Sequence, residues 1–457
     1  MASQGIDRYL ERYAEPIVTD SKEDLLVKLG QTYTFVLVIP LYDEALNCLD
    51  TVLPEDICDT LVILVVNAAV DADPAAILRT QSFLAQFHPS LQQPFTIVHR
   101  PLGNTLLLID CCTPQRQLPP KQGVGLARKI GGDFALACIA AERVEIPWIH
   151  CSDGDVVLPN AYFNPAKPEP DVAAAIYPFC HRPVHDNILQ YEISLRYYVT
   201  ALAQAASSYA FQTIGSLLKV NATHYAMVRG FPKRQAAEDF YMLNKLAKTG
   251  KVIRLQQPEI TLSSRISWRV PFGTGAAMAR LSSAEALRLY HPQIFRELRS
   301  WLKLLPTLWT ELRPGGDNQL VTKPRLHSWW QQQDLSDSLL QTLLYLKVDR
   351  ALGQAFQQCQ DFSHFQFFLE VWFDAFRTLK FVHYQRDQYW SSLAIKDAMA
   401  MYRCLNSRDQ SKPMCQPDVA SQQADFHSSQ DFPDILQQLQ CEEFQLSSEI
   451  GPTLIFG

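Results

Sequence analysis

The chain reads as an α/β protein, with a mainly parallel sheet flanked by helices and an α-helical C-terminal region. Three observations predict this. Short apolar, β-branched runs recur through the first half, as in TFVLVIP and LVILVV. Stretches of helical period separate them, which is the alternation that builds a parallel sheet covered on both faces. From about residue 300 to 405 strand signals fade, and a helical pattern rich in Leu, Trp, Phe and Gln takes over.

Taken in order, residues 1–30 form an amphipathic helical lead-in. TFVLVIP, ending at Pro40, is a continuous apolar run and so a buried strand. Residues 41–58 carry helical material, and LVILVV (Leu61–Val66) is the second strand. Residues 74–88 are helical, and PFTIVHR, ending at Arg100, is a third strand. LLLID, near Leu107–Asp110, is expected as a short edge piece. Gly125 to about Ala141 is helical, IPWIHCSDGD is strand then loop, and DVAAAIYPF is a further strand. Residues 186–210 and Glu238–Thr249 are helices. The expected organisation is an α/β domain over 31–290, a helical region over 291–405, a flexible Ser/Gln-rich linker over 406–435 and a tail over 436–457.

Composition narrows the function. The chain has 457 residues, 47% of them hydrophobic and 19% charged, so it can bury a sizeable core without disulfide staples. A formal net charge of −6 provides no general basic field for a nucleic-acid backbone. Eleven cysteines without a CxxC pair suggest reduced thiols. The N-terminal stretch MASQGIDRYLERYAEP has no apolar signal core, and no run is long enough to span a bilayer. The expectation is a soluble cytoplasmic protein.

In parallel sheets ligands bind at the carboxyl ends of the strands, so the loops there are where chemistry is expected. Ser152-Asp153-Gly154-Asp155 follows a strand, and two carboxylates at that spacing suit a hard divalent cation, Mg²⁺ or Mn²⁺. The same letters also make an ordinary Asp-Gly turn. Pro40-Leu41-Tyr42-Asp43-Glu44 follows the first strand and can face a ribose or base. It can equally be the acidic start of a helix. Lys121 to Gly131, KQGVGLARKIG, runs from a glycine-bearing loop into a helix with Lys121, Arg128 and Lys129 as cations, which suits phosphate. It lacks the context of a dinucleotide fingerprint. Glu238-Asp239 opens a helix, and one of the two can serve as a general base. Ser264 to Gly275, SRISWRVPFGTG, offers Arg265, Trp268 and Arg269 as a lid over a charged ligand.

The order of these motifs resembles the metal-dependent nucleotide-sugar transferases of the A-type fold, in particular the large inverting family two. The usual Pro-x-Tyr-Asn-Glu is represented by PLYDE with Asp43 in place of Asn, and the Ala-Arg-Asn helix by Ala127-Arg128-Lys129. The Asp-x-Asp is Asp153-Gly154-Asp155, the base motif is Glu238-Asp239, and the turn before the base is Arg229-Gly230-Phe231-Pro232. GVGLARKIG, TIGS, AEDFY and RVPFGTG are similar to a bacterial soluble subgroup of that family. The resemblance covers roughly residues 33–280. Asn67 stands where the family carries an Asp that reads the base, and the next histidine after Asp239 is His291. The Gln-x-x-Arg-Trp motif of processive synthases is absent.

The resemblance implies transfer of a sugar from a nucleoside-diphosphate sugar to a hydroxyl-bearing acceptor. Asp239 would be the base, with Glu238 the alternate. Asp153 and Asp155 would hold the metal, with Asp153, Lys121 and Arg128 on the donor diphosphate. Pro40, Tyr42, Glu44 and Asn67 would line the nucleoside pocket. His181, Arg265, Trp268 and Arg269 would meet the acceptor or close over the site. Two alternatives stay open: a nucleotidyltransferase, and a non-catalytic module on a degenerate transferase fold that binds a nucleotide sugar or a protein.

Overall fold

The computed structural model describes residues 2–89, 92–266, 273–281, 287–313, 322–333, 335–406 and 431–449. Through residue 281 the elements are α1 (Ala2–Arg12), α2 (Pro16–Leu29), β1 (Phe35–Leu41), α3 (Cys48–Val52), β2 (Thr60–Asn67), α4 (Pro74–Ala85), β3 (Phe95–His99), β4 (Thr105–Cys111) and α5 (Gly123–Ala140). There follow β5 (Trp148–Cys151), β6 (Val172–Ile176), β7 (Phe179–Arg182), α6 (Asp186–Gln204), β8 (Leu218–Asn221), α7 (Ala222–Met227), α8 (Glu238–Leu246), β9 (Lys251–Arg254), β10 (Ile260–Ser263) and α9 (Thr274–Leu281).

Two compact units share the chain. The first comprises residues 1–184 and 213–279, and the second comprises 185–212 and 280–457. The division departs from the expected boundary near 290, because α6 belongs with the C-terminal helices.

The first unit is α/β. Its eight-stranded sheet runs β3-β4-β2-β1-β5-β8-β6-β9. β4, β2, β1 and β5 are mutually parallel, and β6 pairs parallel with β9. β3 pairs antiparallel with β4, and β8 antiparallel with both β5 and β6. LLLID is therefore not an edge: every residue of β4 is buried, and the half-exposed β3 forms the edge beside it. An uninterrupted apolar run needs cover on both faces and both flanks, and β4 has it. Pro40 lies in a central strand without breaking it. β5 pairs with β1 only through Val36–Val38, and Ser152 N–H then donates to the Val38 carbonyl. Residue 40 faces the same flank as residue 38, beyond the end of β5, so its missing N–H leaves no rung of the ladder empty.

α5 lies on β1 and β2, buried continuously from Gly125 to Cys138. The N-terminal helices are joined to it through a buried polar network centred on Asp133. Asp133 accepts from Tyr9 Oη (2.5 Å), Tyr225 Oη (2.8 Å), the Glu15 N–H (2.9 Å) and Lys129 Nζ (3.0 Å). Each carboxylate lone pair has a donor, which is the condition for keeping such a group in a core. The lead-in is thus part of the first unit.

The second unit is helical. α6 is followed by helices from Pro292–Lys303 to Phe432–Glu449 around a core that includes Tyr197, Leu298, Trp301, Trp330, Leu343, Phe365, Phe381 and Leu439. Trp301, Trp329 and Trp330 are core residues, and Trp309 packs with Phe356 and Phe365. The helix Phe432–Glu449 lies along α6, where Arg196 joins Glu192 and Glu443 at 2.8 and 2.6 Å. Of the expected linker, residues 407–430 lie outside the described residues. The nine described cysteines are all unpaired. Among the described residues no helix is long and apolar enough to cross a membrane.

Candidate functional site

β1, β2, β4 and β5 run in one direction and end at Leu41, Asn67, Cys111 and Cys151. The PLYDE segment, Asn67 and the SDGD segment therefore emerge at one end of the sheet. This is where the strand order leaves loops to meet a ligand.

Arg128 is the hub of the site. It lies in α5, 2% exposed. Its Nε donates to Glu238 Oε1 at 2.9 Å, and its Nη2 to Asp153 Oδ1 at 2.5 Å. Nη1 reaches the carbonyls of Ser152 (3.4 Å) and Gly215 (3.3 Å). One guanidinium thus joins the acidic loop after β5 to the acidic start of α8. The planar fork of arginine suits this double task. Position 215 has to be glycine, because a Cβ there would stand 2.6 Å from Arg128 Nη2. Burial opposes the charge on Arg128, but Asp153 and Glu238 hold it protonated more firmly than water does.

A second arginine joins the other acids. Arg265 Nη1 and Nη2 donate to the two oxygens of Glu44 at 2.8 and 2.6 Å. Its Nε stands 2.8 Å from Asp155 Oδ2. Gly154 carries the loop close beneath: a Cβ there would come within 2.6 Å of Leu41 Cδ2 and 2.8 Å of Glu44 Cγ. The glycine of the DGD segment thereby sets Glu44 against Asp155.

The site gathers five carboxyl groups and two guanidiniums, an excess of negative groups that raises their proton affinity. Loss of water, against the pull of Arg265, pushes Glu44 up to about 7 and Asp155 up to about 6. Asp239 is pushed up to about 7, first by loss of water and then by the neighbouring Glu238 charge. Glu238 is also raised by burial, with Arg128 working against it. Asp239 accepts from its own helix, the Phe240 N–H, at 2.7 Å. It remains partly exposed, whereas Glu238 is buried on Arg128.

The remaining expected residues are dispersed. Asn67 is buried, with Nδ2 donating to the Leu41 and Val65 carbonyls, so it clasps the ends of β1 and β2. Tyr42 is partly buried, and burial raises its phenol. Asp43 turns to α4, where Arg79 meets it at 2.6 and 3.0 Å. Its φ of 55° is a conformation that Asp and Asn tolerate better than most residues. Lys121 is exposed in the turn before α5. His181 is buried, edge-on to Phe179, with Nε2 3.3 Å from Thr274 Oγ1 at the start of α9. Trp268 and Arg269 lie outside the described residues.

Comparison of the chain with protein-family models returns no match, and comparison with curated proteins returns none either.

The donor chemistry at Asp153 and Asp155 fits a hard cation, being carboxylate oxygen on a loop. Among the described residues no three His, Cys, Asp or Glu side chains are grouped to cage a metal ion. A cation there would rest on two protein carboxylates and complete its shell with phosphate and water, as magnesium commonly does. Sequence reasoning missed the partners of Arg128, because helical period alone does not tell which side chains meet across the fold. The adjacent glycine in Ile214-Gly215-Ser216 was the available signal for a close approach.

Proposed function

We propose that the chain is a glycosyltransferase of the A-type fold, moving a sugar from a nucleoside-diphosphate sugar to an acceptor hydroxyl. The observation that carries the reading is the Arg128 bridge between Asp153 and Glu238. It binds the segment expected at the diphosphate to the segment expected at the acceptor, and leaves Asp239 as the partly exposed acid beside them.

In the proposed reaction the acceptor oxygen attacks the anomeric carbon. The bond from that carbon to the diphosphate oxygen breaks, and the nucleoside diphosphate leaves with the bonding pair. The transition state has oxocarbenium character, as in glycoside hydrolysis. Asp239 takes the hydroxyl proton, and a carboxyl group near 7 suits that task at neutral pH. One displacement inverts the anomeric centre. Asp153 and Asp155 would hold Mg²⁺ or Mn²⁺, which supplies positive charge to the departing diphosphate. Arg128 holds Asp153 and Glu238 in register, and Tyr42 and Glu44 flank the nucleoside side.

The test is a thermal-shift panel of nucleotide sugars with and without Mn²⁺, followed by Asp239→Asn. A ligand at a hundred times its dissociation constant adds about 2.7 kcal/mol to a protein that it binds only when folded. The reading expects one donor to shift the melt and Asp239→Asn to keep that shift while losing transfer. No shift with any donor, on a chain that melts cooperatively, would refute it. The second reading, a non-catalytic binding module, is favoured by one feature: Asp153 and Asp155 are both already held by arginines. It expects donor binding without transfer in the unaltered chain.

A further inference from the structure

We propose that Lys219 is a carbonyl-capturing residue: its ε-amine takes a small uncharged aldehyde as an imine, and Tyr162 and His150 move the protons that the step requires. The site involves none of the arginine-linked acids and does not rest on the transferase reading.

Lys219 lies in β8, between β5 and β6 in the sheet, and is only 6% exposed. Lysine is almost never buried so far unless it is paired. Here, among the described residues, no hydrogen bond or ion pair reaches its Nζ, and no carboxylate acts on it. Its surroundings are aromatic. Nζ stands 4.9 Å from the centre of the Trp148 ring and 5.7 Å from that of Tyr177. Loss of water lowers the proton affinity of the amine to about 8. A lysine desolvated in this way is free amine often enough at neutral pH to act as a nucleophile toward carbonyl carbon.

Two further polar groups on this face also lack partners. His150 is the direct cross-strand neighbour of Lys219, so the two side chains leave the sheet on the same side. His150 Nδ1 lies 3.2 Å from the Val36 carbonyl and so carries the ring proton. Its Nε2, buried and without a partner, is a bare acceptor. Tyr162 Oη is buried without a partner too, and its O–H is an unused donor. The Tyr162 ring stacks on Tyr177 at 4.8 Å and meets His150 at 5.6 Å. Lys219, Tyr177, Tyr162 and His150 therefore close a circuit, in which an amine, a lone pair and an O–H are all unmet. Burial keeps His150, Tyr162 and Tyr177 uncharged at neutral pH, so no fixed charge faces the amine.

Imine formation uses all three. The nitrogen bonds to the carbonyl carbon, and the π pair of the carbonyl moves to its oxygen. The two amine protons pass to that oxygen, which leaves as water as the C=N bond forms. His150 Nε2 can accept a proton from nitrogen, and the Tyr162 O–H can donate to the oxygen. The uncharged product suits apolar walls better than an ammonium does. Entry is through the cover of the site. Residues 152–171 form neither helix nor strand, and they bring Tyr162 and Phe163 onto this face, with Phe163 5.0 Å from His150. Trp148 Nε1 clips this segment down through the Ala166 carbonyl at 3.2 Å. Such a segment opens locally at less cost than the strands beneath it.

The test treats the full chain with benzaldehyde and cyanoborohydride, which reduces an imine to a stable amine, and maps the labelled lysines by peptide mass spectrometry. Exposed Lys28 and Lys167 are the internal references. At pH 7.4 a lysine at about 8 is roughly 20% free amine, against about 0.1% for one at the ordinary 10.4. Lys219 should therefore be labelled faster than the references, by about tenfold once its burial has slowed entry. That ratio should fall at least about tenfold between pH 7 and pH 10, where ordinary lysines lose their protons too. Tyr162→Phe keeps the ring and deletes the donor. Once circular dichroism shows that it folds, it should slow Lys219 by at least about threefold and leave the references unchanged. Lys219 labelled no faster than the references at pH 7.4, a ratio that does not change with pH, or equal capture in Tyr162→Phe would each overturn the proposal. The first two are read on the unaltered chain, so they decide even if the variant does not fold.

Discussion

Replacing Gly215 with Ala adds one methyl group, and the structure says where it lands. The new Cβ would stand 2.6 Å from Arg128 Nη2, 2.7 Å from Cζ and 3.1 Å from Nε. Real Cβ atoms do not approach so closely, so the guanidinium or the turn has to move. The arginine has no exit, because its side chain is only 3% exposed and is held by Glu238 at 2.9 Å and Asp153 at 2.5 Å. Overpacking a filled site costs about 1–3 kcal/mol, and breaking a buried ion pair about 3–5 kcal/mol. Taking about 3 kcal/mol, and about 2–4 °C per kcal/mol for a body of this size, the melt should fall by roughly 6–12 °C. The assay is thermal unfolding of four proteins: unaltered, Gly215→Ala, Arg128→Met and the double variant. With methionine at 128 the added methyl meets no guanidinium, so the alanine should cost little there, and the coupling between the two sites should exceed about 1 kcal/mol. A Gly215→Ala penalty of the same size in both backgrounds would refute the claim that Arg128 fills that space.

Three further outcomes are expected. With the donor identified, transfer measured as kcat/KM should rise with pH through about 7 as Asp239 loses its proton, and Asp239→Asn should lower it by roughly 10²–10⁴-fold; a flat profile between pH 6 and 8 would remove Asp239 as the base. His150 is fully buried and its proton affinity is depressed from 6.5 to about 3, chiefly by burial and then by Lys219, so the unfolded chain alone takes up the proton as pH falls. Its contribution to stability is whole above 6.5 and shrinks below it, by about 2 kcal/mol between pH 7 and pH 5; denaturant melts of His150→Gln should show an acid dependence flatter by that amount, and equal dependences would show that His150 does not carry it. Tyr9→Phe deletes the 2.5 Å donor to Asp133 and the acceptor of Lys129 Nζ at 2.6 Å, so denaturant unfolding should lose about 1–3 kcal/mol; a change under 0.5 would mean that the network does not secure α1.

Much of the first unit could be read from sequence because burial leaves a one-dimensional trace. FVLVIPL and TLVILVVN are covered on both faces, and an unbroken apolar run says so. The DGD and ED segments could be placed at a strand end and a helix start by the same logic. What sequence hides is sideways order. β3 and β4 are both apolar and adjacent, and only pairing shows which of them is the edge. β8 enters antiparallel between β5 and β6, a choice made by tertiary fit and not by LKVN itself. Long-range polar partners are hidden too. Arg128 and Glu238 are 110 positions apart, Arg265 and Glu44 221 apart, and Tyr9 and Asp133 124 apart. A cation in a helix reads the same whether it serves phosphate or a buried carboxylate. The expectation for Arg128 therefore put it in a helix without naming what it touches.

The interleaving of the two units has a consequence for how the protein is made. α6 belongs with helices that come much later in the chain, yet it is translated in the middle of the first unit. Between the end of α6 at residue 204 and the end of its partner helix at 449, a ribosome working at about 5–20 residues per second needs roughly 12–50 seconds. For that interval the apolar stripe of Ile193, Tyr197, Ala201 and Leu202 has emerged without the C-terminal helices that complete its core. The nascent chain would be a client for a holding chaperone at that stripe, and a gene cut after residue 279 would keep it in that condition for good.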